Sequence, residues 1–334
     1  MSADALPPTP REKTTGLHIG EIRPGVEKVD PIIVADGVRR VFGGLTAVDV
    51  EHLEIPRGAI TALIGPNGAG KTTLFNLLTG FDKPNAGSWS FDGTNLAGIP
   101  AYKTARMGQV RTFQLTKSLG LLTVLENMKL GATKQAGERI WAGILPFLWR
   151  KQETDIEAKA RELLARFKLD AKEKDFAASL SGGQRKLLEM ARALMSDPVL
   201  VMLDEPMAGV NPALTQSLLD HILGLKDLGM TVLFVEHDMH MVRHIADWVI
   251  VMAEGKVVAE GPPDTVMREQ AVIDAYLGAH QDVDLGVVTG RYAGTLPAEA
   301  AELVETAHEL EHAIEVEAET EYDEQDAQKP ETDK

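Results

Sequence analysis

Cysteine is absent from the 334 residues, which excludes a disulfide framework and any thiolate-bound metal. That composition suits a reducing compartment. No apolar run approaches the roughly 18 residues of a spanning helix, so any membrane part of the working unit belongs to another polypeptide. The first sixteen residues, MSADALPPTPREKTTG, are polar and proline-bearing, and no secretory signal is expected. Basic surface is scarce as well: 34 Lys and Arg face 50 Asp and Glu, a formal net charge of −16. Nucleic-acid binders need basic surface to neutralise phosphates, so no nucleic-acid partner is expected. The expected location is cytoplasmic.

The negative charge is concentrated at one end. Residues 281–334 hold 16 acidic and three basic residues and so carry thirteen of the sixteen net negative charges. The body before them is nearly neutral. Within this tail Leu296, Ala300, Leu303, Ala307, Leu310 and Ile314 recur at helical spacing, enough for one acidic amphipathic helix, but a lone helix of that length is marginal in water. A solvated tail is the default expectation. Residues 1–30, rich in Pro, Thr and charge, read as a flexible leader.

From Pro31 the texture is that of a folded α/β body with an apolar fraction of 44%. Strand signals fall at 32–42, at 48–55, where alternation suits an edge strand, and at 59–64. A short hairpin is expected around Ser88–Phe91. From Pro100 to about Ala178 the chain reads as helical, with Ile156, Ala160, Leu163, Leu164 and Phe167 on one face. Residues 140–149 (IWAGILPFLW) suit a helix-hairpin core or an apolar docking surface. Near-continuous apolar runs at 199–203 and 231–235 suit parallel strands covered on both faces. A hairpin is expected at 248–259, and a short helix near 271–277 closes the body.

The chemistry starts at Gly65-Pro66-Asn67-Gly68-Ala69-Gly70-Lys71-Thr72-Thr73, with the spacing G-x-x-x-x-G-K-T between a strand and a helix start. Three glycines let backbone N–H groups point inward toward an anion, and the helix N-terminus adds its positive end. Lys71 would reach the β- and γ-phosphates and the Thr72 hydroxyl would meet Mg²⁺. A glycine-rich turn that binds nothing is the bland alternative. Asp204 and Glu205 end the apolar run VLVML, where ligands of open α/β sheets bind. Asp204 suits Mg²⁺ and Glu205 suits a general base for attack on a γ-phosphate; a polar turn is the alternative. His237 follows the next strand, either as a γ-phosphate contact or as a structural histidine. Leu180-Ser181-Gly182-Gly183-Gln184 opens another helix, as a second anion site or as a plain serine cap.

With LSGGQ standing between the phosphate loop and VLVMLDEP, the chain resembles the ATP-binding subunits of ABC transporters over residues 31–280. The resemblance implies an α/β fold: a P-loop NTPase (RecA-like) core with an antiparallel β portion and a helical subdomain at about 100–190. It further implies that Gln114 of Arg111-Thr112-Phe113-Gln114 contacts Mg²⁺ and senses a membrane partner. It makes His237 the switch histidine and Phe42 the aromatic on adenine. Ala208-Gly209-Val210-Asn211 corresponds to the loop that crosses between subunits, with Asn211 where many members have Asp. The implied cofactors are ATP and Mg²⁺. The implied partners are transmembrane permease subunits, a second ATP-binding subunit (identical or a paralogue) and, indirectly, a substrate-binding protein. The location becomes peripheral, on the inner face of the membrane through the permease.

FGGLTAV at 42–48, TVLEN at 123–127 and VIDAYLG at 272–278 resemble the importer ATPases for branched-chain amino acids. Urea or amide importers and a lipopolysaccharide-type exporter have related cores. A non-transport ABC ATPase would usually carry two cassettes in one chain, and a non-hydrolysing regulatory module would be expected to lack Glu205.

Overall fold

The computed structural model describes residues 17–112, 119–133, 150–210 and 212–278. The chain enters through β1 (Pro31–Phe42) and β2 (Leu45–Pro56), an antiparallel hairpin in which Phe42 pairs with Leu45. Gly43 (φ 53°) and Gly44 (φ 94°) make its two-residue turn; positive φ at both positions matches the strand twist and favours glycine. β3 (Ile60–Ile64) leads through the glycine loop into α1 (Lys71–Leu78). β4 (Ala86–Phe91) and β5 (Thr94–Asn95) complete an antiparallel sheet of order β2-β1-β4-β5, so β2 is the edge strand its alternation predicts.

Next come α2 (Ala101–Arg106), β6 (Gln109–Arg111), α3 (Val124–Lys129), α4 (Arg150–Arg166) and α5 (Gly182–Leu194). They are followed by β7 (Leu200–Asp204), α6 (Pro212–Asp227), β8 (Thr231–Val235) and α7 (Met239–Ile245). The body closes with the hairpin β9 (Trp248–Ala253) and β10 (Lys256–Gly261), then α8 (Pro263–Val266) and α9 (Gln270–Gly278).

The second sheet has the order β10-β9-β3-β8-β7-β6, parallel except for β10. Every residue of β3, β7 and β8 is buried. Their period of two divides them between two cores. Ile60, Ala62, Ile64, Val201, Leu203, Val232 and Phe234 join the helices α4 to α7. Leu63, Leu200, Met202, Leu233 and Val235 join α1 and the antiparallel sheet. At about 1.5–3 kcal/mol per fully buried aliphatic side chain, these strands hold the layers together, and their C-terminal ends share one edge. Among the described residues no helix is long and apolar enough to cross a membrane.

Two expectations need correction. The stretch 100–178 is not wholly helical: β6 lies within it, paired parallel to β7 as Gln109 with Leu200 through Arg111 with Met202. Three residues are too few for a strand period to show. Nor does the leader extend to residue 30. His18 bridges Lys28, Val26 is buried, and Lys28 makes a fully buried ion pair with Glu260 at 2.7 Å. Glu260 also accepts from the N–H groups of Gly25 (2.6 Å) and Val26 (3.0 Å) and from Trp248 Nε1 (2.8 Å). Burial lowers the Lys28 pKa despite the Glu260 charge beside it. Such a pair adds little net stability, but removing one partner strands a buried charge at a cost of about 3–5 kcal/mol, so residues 17–30 are fastened to the β9–β10 hairpin. The tail from residue 281 and the apolar stretch 140–149 lie outside the described residues.

Candidate active site

Backbone crowding shapes the phosphate loop. A Cβ on Gly65 (φ 144°) would stand 2.0 Å from the Met252 carbonyl oxygen, and one on Gly70 (φ 96°) 2.2 Å from that of Ala47. The loop is therefore wedged between β9 and β2, and only glycine fits at either end. Gly70 also caps α1 without a side chain, and no acid occupies the first turn of that helix. Its first N–H groups thus face outward with the positive end of the helix dipole. Lys71 Nζ donates to the carbonyls of Gly65 and Pro66, the latter at 2.9 Å, which curls the ammonium over the loop.

An open cleft of about 620 Å³ lies above, lined by residues 66–73, Leu45 to Ala47, Glu205, Glu254 and Asp274. That volume is within the usual range for small-molecule sites. Asn67, Gly68, Gly70, Lys71, Thr72 and Thr73 all line it. The sheet order supplies the rest of the edge: β3, β8, β7 and β6 are neighbours. Gly65, His237, Glu205 and Thr112 therefore follow four adjacent parallel strands, and Asp204 is the last residue of β7. Gln114 and Asn211 lie outside the described residues.

Asp204 is nearly buried, and its Oδ2 accepts from Arg111 Nη2 at 2.7 Å. Arg111 Nη1 donates to Asn76 of α1 at 2.6 Å. One guanidinium thus links the ends of β6 and β7 to the helix behind the phosphate loop. Glu205 adopts a left-handed backbone (φ 45°), uncommon for a non-glycine residue. Its N–H donates to the Val235 carbonyl at 3.1 Å. Lys186 Nζ donates to the carbonyls of Glu205 (3.0 Å) and Pro206 (2.9 Å).

Some expected site residues stand apart from the cleft. Phe42 is exposed, with the Arg40 guanidinium 4.4 Å from its ring centroid, and Leu45 to Ala47 line the cleft in its place. The His237 side chain is half exposed, its Nδ1 3.8 Å from Glu236 Oε2. No residue of 180–184 lines the cleft. Ser181 caps α5 instead: its Oγ accepts from Gln184 N–H (3.3 Å) and its own N–H donates to Gln184 Oε1 (3.0 Å). A hydroxyl that accepts in this way keeps its proton to donate outward. Gly183 is buried under Leu214 of α6, 2.5 Å from where its Cβ would be; Ser181 and Gly182 are exposed.

Three groups escaped the sequence reading: Arg111, Lys186 and Glu236. Only the position of Glu236, directly after an apolar strand, was a usable signal. Glu236 is buried, accepting from the N–H groups of Met207 (3.0 Å) and His237 (3.3 Å). Burial raises its pKa, and the charge of Glu205 adds to the rise.

Mg²⁺ prefers oxygen ligands and commonly takes one or two carboxylates with substrate phosphates. Thr72 lines the cleft, and the Asp204 carboxylate, one oxygen of which is held by Arg111, ends β7; both carry oxygen donors of the kind Mg²⁺ takes. Among the described residues no cluster of three or more His, Cys, Asp or Glu forms a metal cage.

The raised pKa of Glu236 has a testable sign. A carboxyl whose folded pKa lies above its ordinary 4.5 contributes stability below that value and loses it as pH rises through the folded pKa. Glu236→Gln keeps an acceptor for Met207 N–H without the charge. The difference in thermal midpoint, variant minus wild type, should therefore grow from pH 4.5 to pH 8. A constant or shrinking difference would contradict a buried carboxylate.

Comparison with known proteins agrees with this fold. The ABC transporter family pattern matches residues 48–208, and that of the branched-chain amino acid ATP-binding cassette transporters matches residues 256–282. The chain is 38% identical over 250 residues to BraF, a high-affinity branched-chain amino acid transport ATP-binding protein of Pseudomonas aeruginosa, covering 74% of this chain and 98% of that one. The same identity and coverage hold for LivG of Escherichia coli K12. A crystal structure of a nucleotide-free ATP-binding cassette from an ABC transporter superposes with a TM-score of 0.64 at 34% identity, covering 74% of this chain and 98% of that one. The chain belongs to the ATP-binding subunits of ABC transporters, a family of ATPases with a P-loop NTPase fold.

Proposed function

We propose that this chain hydrolyses ATP to drive a separate membrane permease that imports branched-chain amino acids. What supports the cargo is the family match at 256–282 together with the named activity of the relatives. What supports the chemistry is one observation: Glu205 lines the same cleft as the phosphate loop. In this reading residues 31–280 form the cassette, with a helical subdomain at about 100–190, and the acidic tail is not part of it. The subunit sits on the inner membrane face through its permease.

ATP lies along the loop. Lys71, released from the loop carbonyls, pairs with the β- and γ-phosphates, while the N–H groups of the loop and of the first turn of α1 donate to phosphate oxygens. Thr72, Asp204 and Gln114 hold Mg²⁺, which when bound neutralises charge on the β- and γ-phosphates. The Glu205 carboxylate takes the proton of the attacking water, and His237 donates to the γ-phosphate. Leu45 to Ala47 wall the cleft, and Phe42 reaches the adenine only by leaving the Arg40 guanidinium.

The signature residues Ser181, Gly182, Gly183 and Gln184 stay out of their own chain's cleft, and Ser181 is exposed with a proton to donate. They complete the nucleotide site of a second cassette, identical or paralogous, so that ATP closes a pair and hydrolysis reopens it.

Glu205→Gln should bind ATP, accumulate an ATP-bound dimer and lose roughly 10²–10⁴ in turnover, the usual worth of a general base. Normal steady-state hydrolysis by that variant would remove Glu205 from the role. The cargo is tested separately: deleting the gene in its host should abolish high-affinity uptake of labelled leucine, isoleucine and valine. Unchanged uptake would reject the import reading.

A further inference from the structure

The turn that carries Glu205 is held from three sides. Its own N–H is bound by Val235 of β8. The buried Glu236 carboxylate accepts from Met207 N–H at 3.0 Å. The third hold comes from α5: the Lys186 ammonium donates to the carbonyls of both Glu205 (3.0 Å) and Pro206 (2.9 Å). Lys186 is half-buried, and burial lowers its pKa against the charges of Glu236, Glu189 and Glu205. With Glu189 and Asp204 it also lines a small cavity of about 20 Å³ between α5, β7 and α6. An ammonium in such a place, bound to two consecutive carbonyls, makes directional contacts rather than a diffuse surface interaction.

The contact matters because of where each end lies. Glu205 has an uncommon left-handed backbone (φ 45°), which persists only where its surroundings impose it. Lys186 lies four residues into α5, about 6 Å along the axis from Gly182 at 1.5 Å rise per residue. That helix begins at the exposed signature residues Ser181 and Gly182. A single side chain therefore joins the segment assigned to a neighbour's nucleotide to the backbone of this chain's own base.

We propose that Lys186 is a positioning residue for hydrolysis: it fixes the Glu205 turn to the signature helix, so the carboxylate is aligned only when that helix is seated. The proposal rests on the reading of Glu205 as the base. Lys186 does not line the cleft above the phosphate loop; it acts through the Glu205 and Pro206 carbonyls. A base displaced by about 1 Å loses on the order of 10²-fold in rate, while the phosphate loop, which holds ATP, is untouched. Turnover should therefore fall without loss of affinity.

The test uses the full-length chain. Lys186→Met keeps the aliphatic stem and removes the donors; Lys186→Arg restores donors that can span two carbonyls. In steady-state hydrolysis Lys186→Met should lose about 10- to 100-fold in kcat. KM for ATP should stay within about twofold of wild type, since uniform binding is unchanged. Lys186→Arg should recover most of the loss. The thermal midpoint of each variant is recorded, and Lys186→Gln serves if the Met variant does not fold.

A kcat within about twofold of wild type in the folded Met or Gln variant overturns the proposal. So does a parallel fall of kcat, ATP affinity and thermal midpoint that Arg does not rescue, since that is merely structural damage. Glu205→Gln measured alongside separates the two readings. If it hydrolyses ATP normally, the base assignment fails. If it is inactive while Lys186 is dispensable, only the positioning role fails.

Discussion

The close approach of two carbonyls to the phosphate loop is the constraint from which the rest follows. Met252 of β9 and Ala47 of β2 leave no room for a side chain at Gly65 and Gly70. The loop is thereby pinned at the junction of the two sheets. The antiparallel sheet contributes Leu45 to Ala47 to one wall of the cleft, and the turn after β9 contributes Glu254. Around that fixed point the parallel order β3-β8-β7-β6 brings Gly65, His237, Glu205 and Thr112 to one edge. Loosening the wedge would move the phosphate site relative to Glu205 even with every chemical group present.

Polar groups behind the edge hold those positions. Arg111 ties Asp204 to Asn76, Lys186 ties the Glu205 turn to α5, and Glu236 ties Met207 to the end of β8. Charge-assisted hydrogen bonds of this kind are worth more than neutral ones and are directional, and unpaired they would be costly in so buried a place. The site is therefore stiff in its backbone. The cleft is open, and no residue of 180–184 lines it.

What could be read from the sequence was what is local. The run ITALI, the glycine loop and the start of α1 are contiguous, and VMLDE places two carboxylates after a buried strand without help from the rest of the chain. The hairpin turns at Gly43–Gly44 and Glu254–Gly255 announce themselves through their residue types. Hidden from that reading were contacts between distant positions. Arg111 and Asp204 are 93 residues apart, and Lys28 and Glu260 are 232 apart. Lys28 reads as one more surface charge until Trp248 and Glu260 are seen to enclose it. β6 is three residues long and two of them are polar, so no periodicity marks it. Ser181 shows how two sequence readings can hold together: it is a helix cap within its own chain, and it still exposes a donor at the helix start.

If a single chain holds only part of a nucleotide site, its specific ATPase rate depends on protein concentration. For the purified full-length chain, that rate should fall toward zero on dilution and rise with protein concentration until pairs saturate. A specific rate that stays constant through every dilution, with the chain monomeric in ATP, would contradict the account.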